Sequence, residues 1–480
     1  MMNELKQSLR DNKYARWAAL FLLAMGMFFS YIFMDILSPL TELLNEQRGW
    51  SSVDYGNYAG SETFLNVFIF FLIFAGIILD KMGVRFTAIL SGAVMVLGAS
   101  MNWYAVTDSF ATSGLNTFFT NYFNLPEAWW NVTPFFEGMP ASAKFAAVGF
   151  MIFGCGVEMA GITVSRGIVK WFKGKEMALA MGLEMALARV GVAVVFLAAP
   201  IIAYFREASV SRPVAMGVIL LCIGLLSFIA YSFMDKKLDK ETGEQGVTED
   251  EEPFKIRDIG IIFKSSGFWI TALLCVLYYS AIFPFQKYAG WMLQANLDYT
   301  AEQASYIFFV FPLGAAVITP LLGNFLDKKG KGASMLIFGA ILMIICHLTF
   351  ALILPLDMGE GLKVGVAYLS IILLGISFSL VPASLWPSVP KLIDEKVLGS
   401  AYALIFWIQN IGLYAFPMII GSVLAKSNVG ITEYDEYDFT NPMLLFAALG
   451  ILALILGFIL KIIDKKKGYG LELPNRKTAA

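Results

Sequence analysis

Along this chain the apolar residues come in long runs. They show neither the alternation of a half-buried strand nor the narrow stripe of a surface helix. A helix that crosses a bilayer needs about 20 mostly apolar residues. Twelve such runs are expected, near 17–40, 55–79, 84–107, 144–169, 176–204, 211–234, 267–294, 301–326, 332–354, 364–390, 397–425 and 441–463. The first is too long for a cleaved signal peptide and lacks a small-residue cleavage site. Two segments break the rhythm. Residues 108–143 form a long loop rich in Asn, Pro and aromatics, either a cap over one face or a folded decoration with no further role. Its Asn131-Val132-Thr133 fits a glycosylation sequon. Residues 235–264 carry Lys236, Lys237, Asp239, Lys240 and the acidic run Glu249-Asp250-Glu251-Glu252, and read as a solvated linker. Its end, Phe254-Lys255-Ile256-Arg257-Asp258-Ile259, alternates apolar and charged residues and is expected to lie on the membrane surface.

The expected fold class is therefore all-α integral membrane, with twelve transmembrane helices in two six-helix bundles. An N-tail (1–16) precedes the first bundle (17–234), the linker (235–264) joins the second (265–463), and a C-tail (464–480) follows. Composition agrees: 58% of the 480 residues are hydrophobic and 15% charged, against about 25% charged in soluble domains. Mean hydropathy is +0.69. The net charge of −2 offers no basic surface to nucleic acid. Cys155, Cys222, Cys275 and Cys346 sit in apolar runs without metal or disulfide spacing, as does the single His347. No nucleophile–base pair, metal cluster or phosphate loop supports an enzyme, and no cofactor is expected. Lysine and arginine set the orientation. With the N-terminus inside, inner segments hold 27 of 35 basic residues and outer loops hold five. Both termini are thus expected in the cytoplasm.

A short motif occurs twice. Gly76-Ile-Ile-Leu-Asp80-Lys81-Met-Gly83-Val-Arg85 follows the second run, and Gly323-Asn-Phe-Leu-Asp327-Lys328-Lys-Gly330-Lys331 follows the eighth, 247 residues later. A weaker match pairs Lys175–Gly191 with Lys396–Gly412. Parallel six-span repeats mark an alternating-access carrier. The glycines permit a tight turn and close helix approach, and each aspartate caps a helix or pairs with a neighbouring base.

This pattern resembles the signature loop of the major facilitator superfamily, and the resemblance covers the chain from the first run to the last. Three stretches narrow it: Trp171-Phe172-Lys173-Gly174-Lys175-Glu176 with Ala188-Arg189-Val190-Gly191; Tyr278-Tyr279 with Phe283-Pro284-Phe285; and Leu385-Trp386-Pro387 with Gln409-Asn410-Ile411-Gly412. Together they are similar to the lysosomal dipeptide uniporter branch and its bacterial relatives. The branch implies facilitated dipeptide transport, places Glu158 and Arg189 on substrate-binding positions, and uses an accessory glycoprotein in animals. Lys287 departs from the branch's pattern.

A charge at bilayer depth costs about 2.5–3.5 kcal/mol on insertion scales, so each one is a functional candidate. Glu158 lies ~21 Å into the fourth run and Arg189 ~20 Å into the fifth, at 1.5 Å per residue. Both reach the midplane on consecutive helices. One reading is a clamp in which Arg189 holds a carboxylate and Glu158 an ammonium group. The other is a plain ion pair joining two helices, and the pair could close when the site is empty. Glu184 points some 140° away from Arg189 at about 100° per residue. Asp35, Glu62 and Lys287 lie toward the outer ends of their runs. They form an outer gate in which Asp35 or Glu62 pairs with Lys287, or Lys287 reads a substrate side chain, or it snorkels to the interface. Pro382, Pro387 and Pro390 predict a bent tenth helix. Tyr278, Tyr279, Trp386, Gln409 and Asn410 are then candidates to line the second half of the cavity.

The expected function is a carrier of small zwitterions, dipeptides first, by rocking of the two bundles. A proton-coupled carrier of another small organic ion stays open, as does a substrate sensor that keeps the fold without cycling. The expected partners are a small-molecule substrate and the lipid bilayer. With no organelle sorting signal in the tails, a bacterial plasma membrane is favoured.

Overall fold

A computed structural model describes residues 9–126, 133–173, 175–242, 260, 262–393 and 397–474. The sequon residues Asn131 and Val132, the acidic run 249–252 and the segment 254–259 lie outside the described residues. Nothing but helices can satisfy every backbone group of an open chain in lipid, and helices make up nearly everything described. In the N-terminal half they are α1 (Lys13–Met34), α2 (Thr41–Arg48), α3 (Ser52–Ser61), α4 (Phe64–Phe68), α5 (Phe71–Ala105), α6 (Asp108–Ala111), α7 (Gly114–Asn121), α8 (Ala141–Phe172), α9 (Met177–Ala203) and α10 (Ser211–Thr242). The C-terminal half contains α11 (Ser266–Leu297), α12 (Ala301–Phe308), α13 (Val310–Lys329), α14 (Gly332–Leu348), α15 (Glu360–Leu392), α16 (Leu398–Ser427) and α17 (Thr440–Lys467). Caps fix several ends. Asn12 accepts from the amides of Tyr14 and Ala15 to start α1, and Ser265 accepts from Phe268 to start α11.

Among the described residues, eleven helices are long and apolar enough to cross a membrane. The run near 55–79 is not one helix. It divides into α3, α4 and the start of α5, with Phe70 at φ 55°. Within α5 the chain leaves helical geometry at Gly83 (φ 77°, ψ 168°), at the expected boundary between the second and third runs. A side chain at such a φ is strained, and glycine adopts it freely. The expected linker also begins later than 235. Helix α10 continues to Thr242, and Asp235 within it is buried. Apolar residues on the outer helix faces are exposed. On α10, Ile219, Leu226 and Phe233 recur every seventh residue on one stripe, the face a helix presents to lipid.

Within the N-terminal half α5 packs on α8 and α10, and α1 on α9 and α10. Within the C-terminal half α14 packs on α15 and α17, α13 on α15, and α11 on α16. The halves meet along α3 and α4 against α16, and along α9 against α12 and α13. Small residues allow the closest approach. A Cβ on Gly56 would lie 2.5 Å from the Pro417 carbonyl oxygen, and one on Gly421 would lie 2.3 Å from that of Ser52.

Candidate functional site

Glu158 on α8 and Arg189 on α9 come from the N-terminal half, and each reaches across to the other. Asn410 on α16 donates from Nδ2 to Glu158 Oε1 at 3.2 Å. The Arg189 guanidinium lies over the Phe378 ring of α15 at 4.0 Å and over the Phe283 ring of α11 at 5.9 Å. The two charges make no ion pair with each other, so the expected closed Glu158–Arg189 pair is not the arrangement here. Among the described residues Arg189 has neither a hydrogen bond nor a salt bridge. Both side chains keep some accessible surface, as does Trp386.

Opposite these charges stands an aromatic wall from the C-terminal half. Tyr279 stacks on Phe283 at 5.4 Å, and Phe378 meets Phe283 edge-on at 5.6 Å. Trp386 donates from Nε1 to the Tyr279 hydroxyl at 3.1 Å and stacks on Phe406 at 4.8 Å. The prolines Pro382, Pro387 and Pro390 all lie inside α15 around Trp386. Gln409 is turned to Cys275, whose Sγ lies 3.1 Å from its Oε1. Tyr278 does not join the wall. It is fully buried, and its hydroxyl donates to the Leu336 carbonyl of α14. Consecutive helical residues diverge by about 100°, so Tyr278 and Tyr279 cannot both face the other half.

A second set of charges closes the end of the molecule farther from the termini. Asp35, which terminates α1, is fully buried and lies 2.9 Å from Lys287 Nζ. Lys287 also donates to the Met34 carbonyl at 2.6 Å, and Gln286 donates to the second Asp35 oxygen. A cation therefore sits on both a carboxylate and the negative end of a helix. Lys287 chooses Asp35 over Glu62, whose side chain makes no hydrogen bond or ion pair among the described residues. More bonds join the halves nearby. Ser52 donates to the Gly421 carbonyl at 3.1 Å, Tyr55 to that of Lys287 at 3.2 Å, and Tyr434 to that of Thr41 at 2.8 Å.

At the other end the bonds described join elements of the same half. Asp80 meets Arg166 of α8 at 3.0 Å, and Arg85 meets Asp239 of α10 at 2.8 Å. Lys170 reaches both Asp235 (2.7 Å) and Asp239 (2.6 Å). Lys81 and Lys328 are exposed. The second copy of the motif is covered by the C-terminal segment. Lys331 and Gly332 amides donate to the Glu472 and Leu471 carbonyls, and Ser334 donates to the Glu472 carboxylate. Gly330 turns at φ 72°, and a Cβ there would lie 2.5 Å from the Glu472 carbonyl oxygen. The tight turns thus belong to Gly83 and Gly330. Gly76 and Gly323 have nothing within 4 Å of a Cβ, so the expected close approach does not occur at them. Asp327 precedes the turn near the end of α13.

Comparison with known proteins decides the family. The model of the Major Facilitator Superfamily matches residues 23–417, with a second match over 291–476. The chain belongs to this superfamily. Among its relatives, the lysosomal dipeptide transporter MFSD1 of Danio rerio is 29% identical over 338 residues, 68% of each chain. The human protein of that name is 27% identical over 341 residues, again 68% of each. In fold, the nucleoside transporter NupG superposes with a TM-score of 0.66 at 15% identity, covering 93% of this chain and 99% of that one. The D-xylose-proton symporter gives 0.66 at 13% identity, covering 92% and 97%. As a superfamily member the chain is a multi-pass membrane protein and a secondary transporter of the alternating-access type, not an enzyme.

Sequence reasoning passed over Phe378 and Gln286. Phe378 lies in the run Gly375-Ile-Ser-Phe-Ser, where nothing separates a cavity-facing ring from a lipid-facing one. Gln286 gave one weak signal, an uncharged polar residue beside Lys287 at membrane depth.

Proposed function

We propose that this transporter moves small zwitterions, dipeptides foremost, between the two faces of a membrane. Arg189 grips the substrate carboxylate with its planar array of donors, and Glu158 accepts from the ammonium group. Tyr279 and Trp386 flank the side chains, and Asn410 orients the Glu158 carboxylate. The observation that carries this reading is the separation of Glu158 from Arg189. A half-buried acid and base on adjacent helices each engage the opposite half rather than one another. The names of the curated relatives support the substrate class. In this reading the chain crosses the bilayer twelve times, the split segment 52–82 being the second crossing and Gly83 the turn into the third. Two six-helix bundles then rock about the site. Asp35 and Lys287 form the outer gate, the motif loops at 76–85 and 323–331 govern the inner end, and both termini lie in the cytoplasm of a bacterium.

Uptake of a mixed dipeptide pool into proteoliposomes tests the clamp. Wild-type uptake, lost in Glu158→Gln and Arg189→Gln with both proteins folded, is the expected result. Uptake unchanged in both variants reduces the two residues to helix packing. A second reading, proton coupling, is favoured by Glu62, a carboxylate at depth without a bonded partner. Uptake driven by an imposed pH gradient and abolished in Glu62→Gln would establish it over uniport.

A further inference from the structure

Arg189 is the one described cation between the halves that faces an aromatic surface without also holding a carboxylate. A guanidinium is planar. When one face lies on a ring, its N–H donors stay free along the rim. The Arg189 Cζ lies 4.0 Å from the Phe378 centroid, close enough for face contact, while Phe283 at 5.9 Å bounds a second side. The ring is itself held. Phe378 is buried, stacks on Phe311 of α13 at 5.7 Å and meets Phe283 and Tyr279 edge-on. The platform therefore belongs to the C-terminal half, while the cation it carries belongs to the N-terminal half.

We propose that Phe378 is a positioning residue for substrate carboxylate recognition, holding the Arg189 guanidinium by one face so that its donor edge is presented to the substrate and kept from Glu158. This rests on the zwitterion reading above. The ring attracts a cation but offers no acceptor lone pair, so it fixes Arg189 without consuming the donors that a carboxylate needs. A carboxylate at position 378 would hold the same cation and block the site.

The test compares Phe378→Leu, Phe378→Tyr and replacement of Phe378 by mono-, di- and trifluorophenylalanine. Fluorination drains the ring's negative face while keeping its shape, so a purely structural role does not respond to it. In proteoliposomes, KM for a free-acid dipeptide should rise stepwise along the fluorinated series. It should rise about tenfold in Phe378→Leu, the change that 1.4 kcal/mol of lost interaction produces. Phe378→Tyr should restore it. The same dipeptide as its C-terminal amide should show no such rise, and kcat should change little. A KM indifferent to fluorination overturns the proposal. A second readout needs no substrate: phenylglyoxal modification of Arg189 in the purified transporter, followed by peptide mass spectrometry. It should quicken along the same series, and an unchanged rate again overturns the proposal. Absence of wild-type dipeptide uptake would sink the substrate reading, and the phenylglyoxal series would still decide the role of Phe378.

Discussion

Asp35 and Lys287 meet at 2.9 Å with almost no exposure, whereas Glu158 and Arg189, also charged and also deep, reach past each other to the opposite half. The difference lies in what surrounds each couple. Asp35 sits where α1 ends, so Lys287 finds a carboxylate, a helix terminus and the Met34 carbonyl in one place. Arg189 finds aromatic faces, and Glu158 finds an amide. A fully satisfied pair is a lock, because opening it strands two charges. A pair whose members are held apart by uncharged partners leaves both charges available to a third party. The molecule thus joins its halves with charge at the end farther from the termini and leaves Glu158 and Arg189 unpaired with each other.

The largest effect should fall on transport, not stability. Glu158→Gln and Arg189→Gln should each abolish uptake while moving the melting temperature little, because neither strands an opposite charge. A large drop in melting temperature with uptake retained would make the couple structural after all. Next comes the lock. Lys287→Met leaves Asp35 buried and unpaired, which should cost about 3–5 kcal/mol. Adding Asp35→Asn should recover much of this in a double-mutant cycle. Additive losses would show that the pair does not act as a unit. If the pair is the gate, the double variant should also expose a cysteine placed between the halves to a membrane-impermeant reagent from the outer side.

Asn410→Ala should be intermediate. It removes a hydrogen bond to a charged group, worth about 1.5–3 kcal/mol, and its loss should appear mainly as weaker substrate binding. An unchanged KM would remove Asn410 from the site. The smallest effect is expected at Asp80. Its bond to Arg166 is part-exposed (18% and 45% for Arg166 and Asp80), and such pairs contribute about 0–1 kcal/mol. Asp80→Asn should therefore barely change the melting temperature, and any fall in transport rate would point to a role in motion. A stability loss as large as that of Lys287→Met would erase the contrast between buried and exposed pairs.

Much of the architecture was legible in the order of residues. Lipid admits a chain as helices or as a closed barrel, so long apolar runs point to helical crossings, and eleven helices of that length and composition are present among the described residues. The expected depth of Glu158 and Arg189 rests on rise per residue alone. The second run misled because Phe70 and Gly83 break the helix locally while hydropathy continues, a backbone event that run length does not register. The start of the linker misled in the opposite sense. Asp235 looks solvated in sequence, yet Lys170, Trp171 and Tyr231 all bond it.

What the sequence determined by itself was the solvent, the helix count within one, the duplicated motif and the short roster of charges inside the apolar runs. Which charges pair was decided only by tertiary structure. Pairing depends on side-chain direction and on neighbours far apart in sequence, as with Lys287 and Asp35, Asn410 and Glu158, or Phe378 and Arg189. Tyr278 and Tyr279 show the reason in miniature: two adjacent, identical residues are turned apart by helical geometry, one into the wall that faces Arg189 and the other into the packing of its own half.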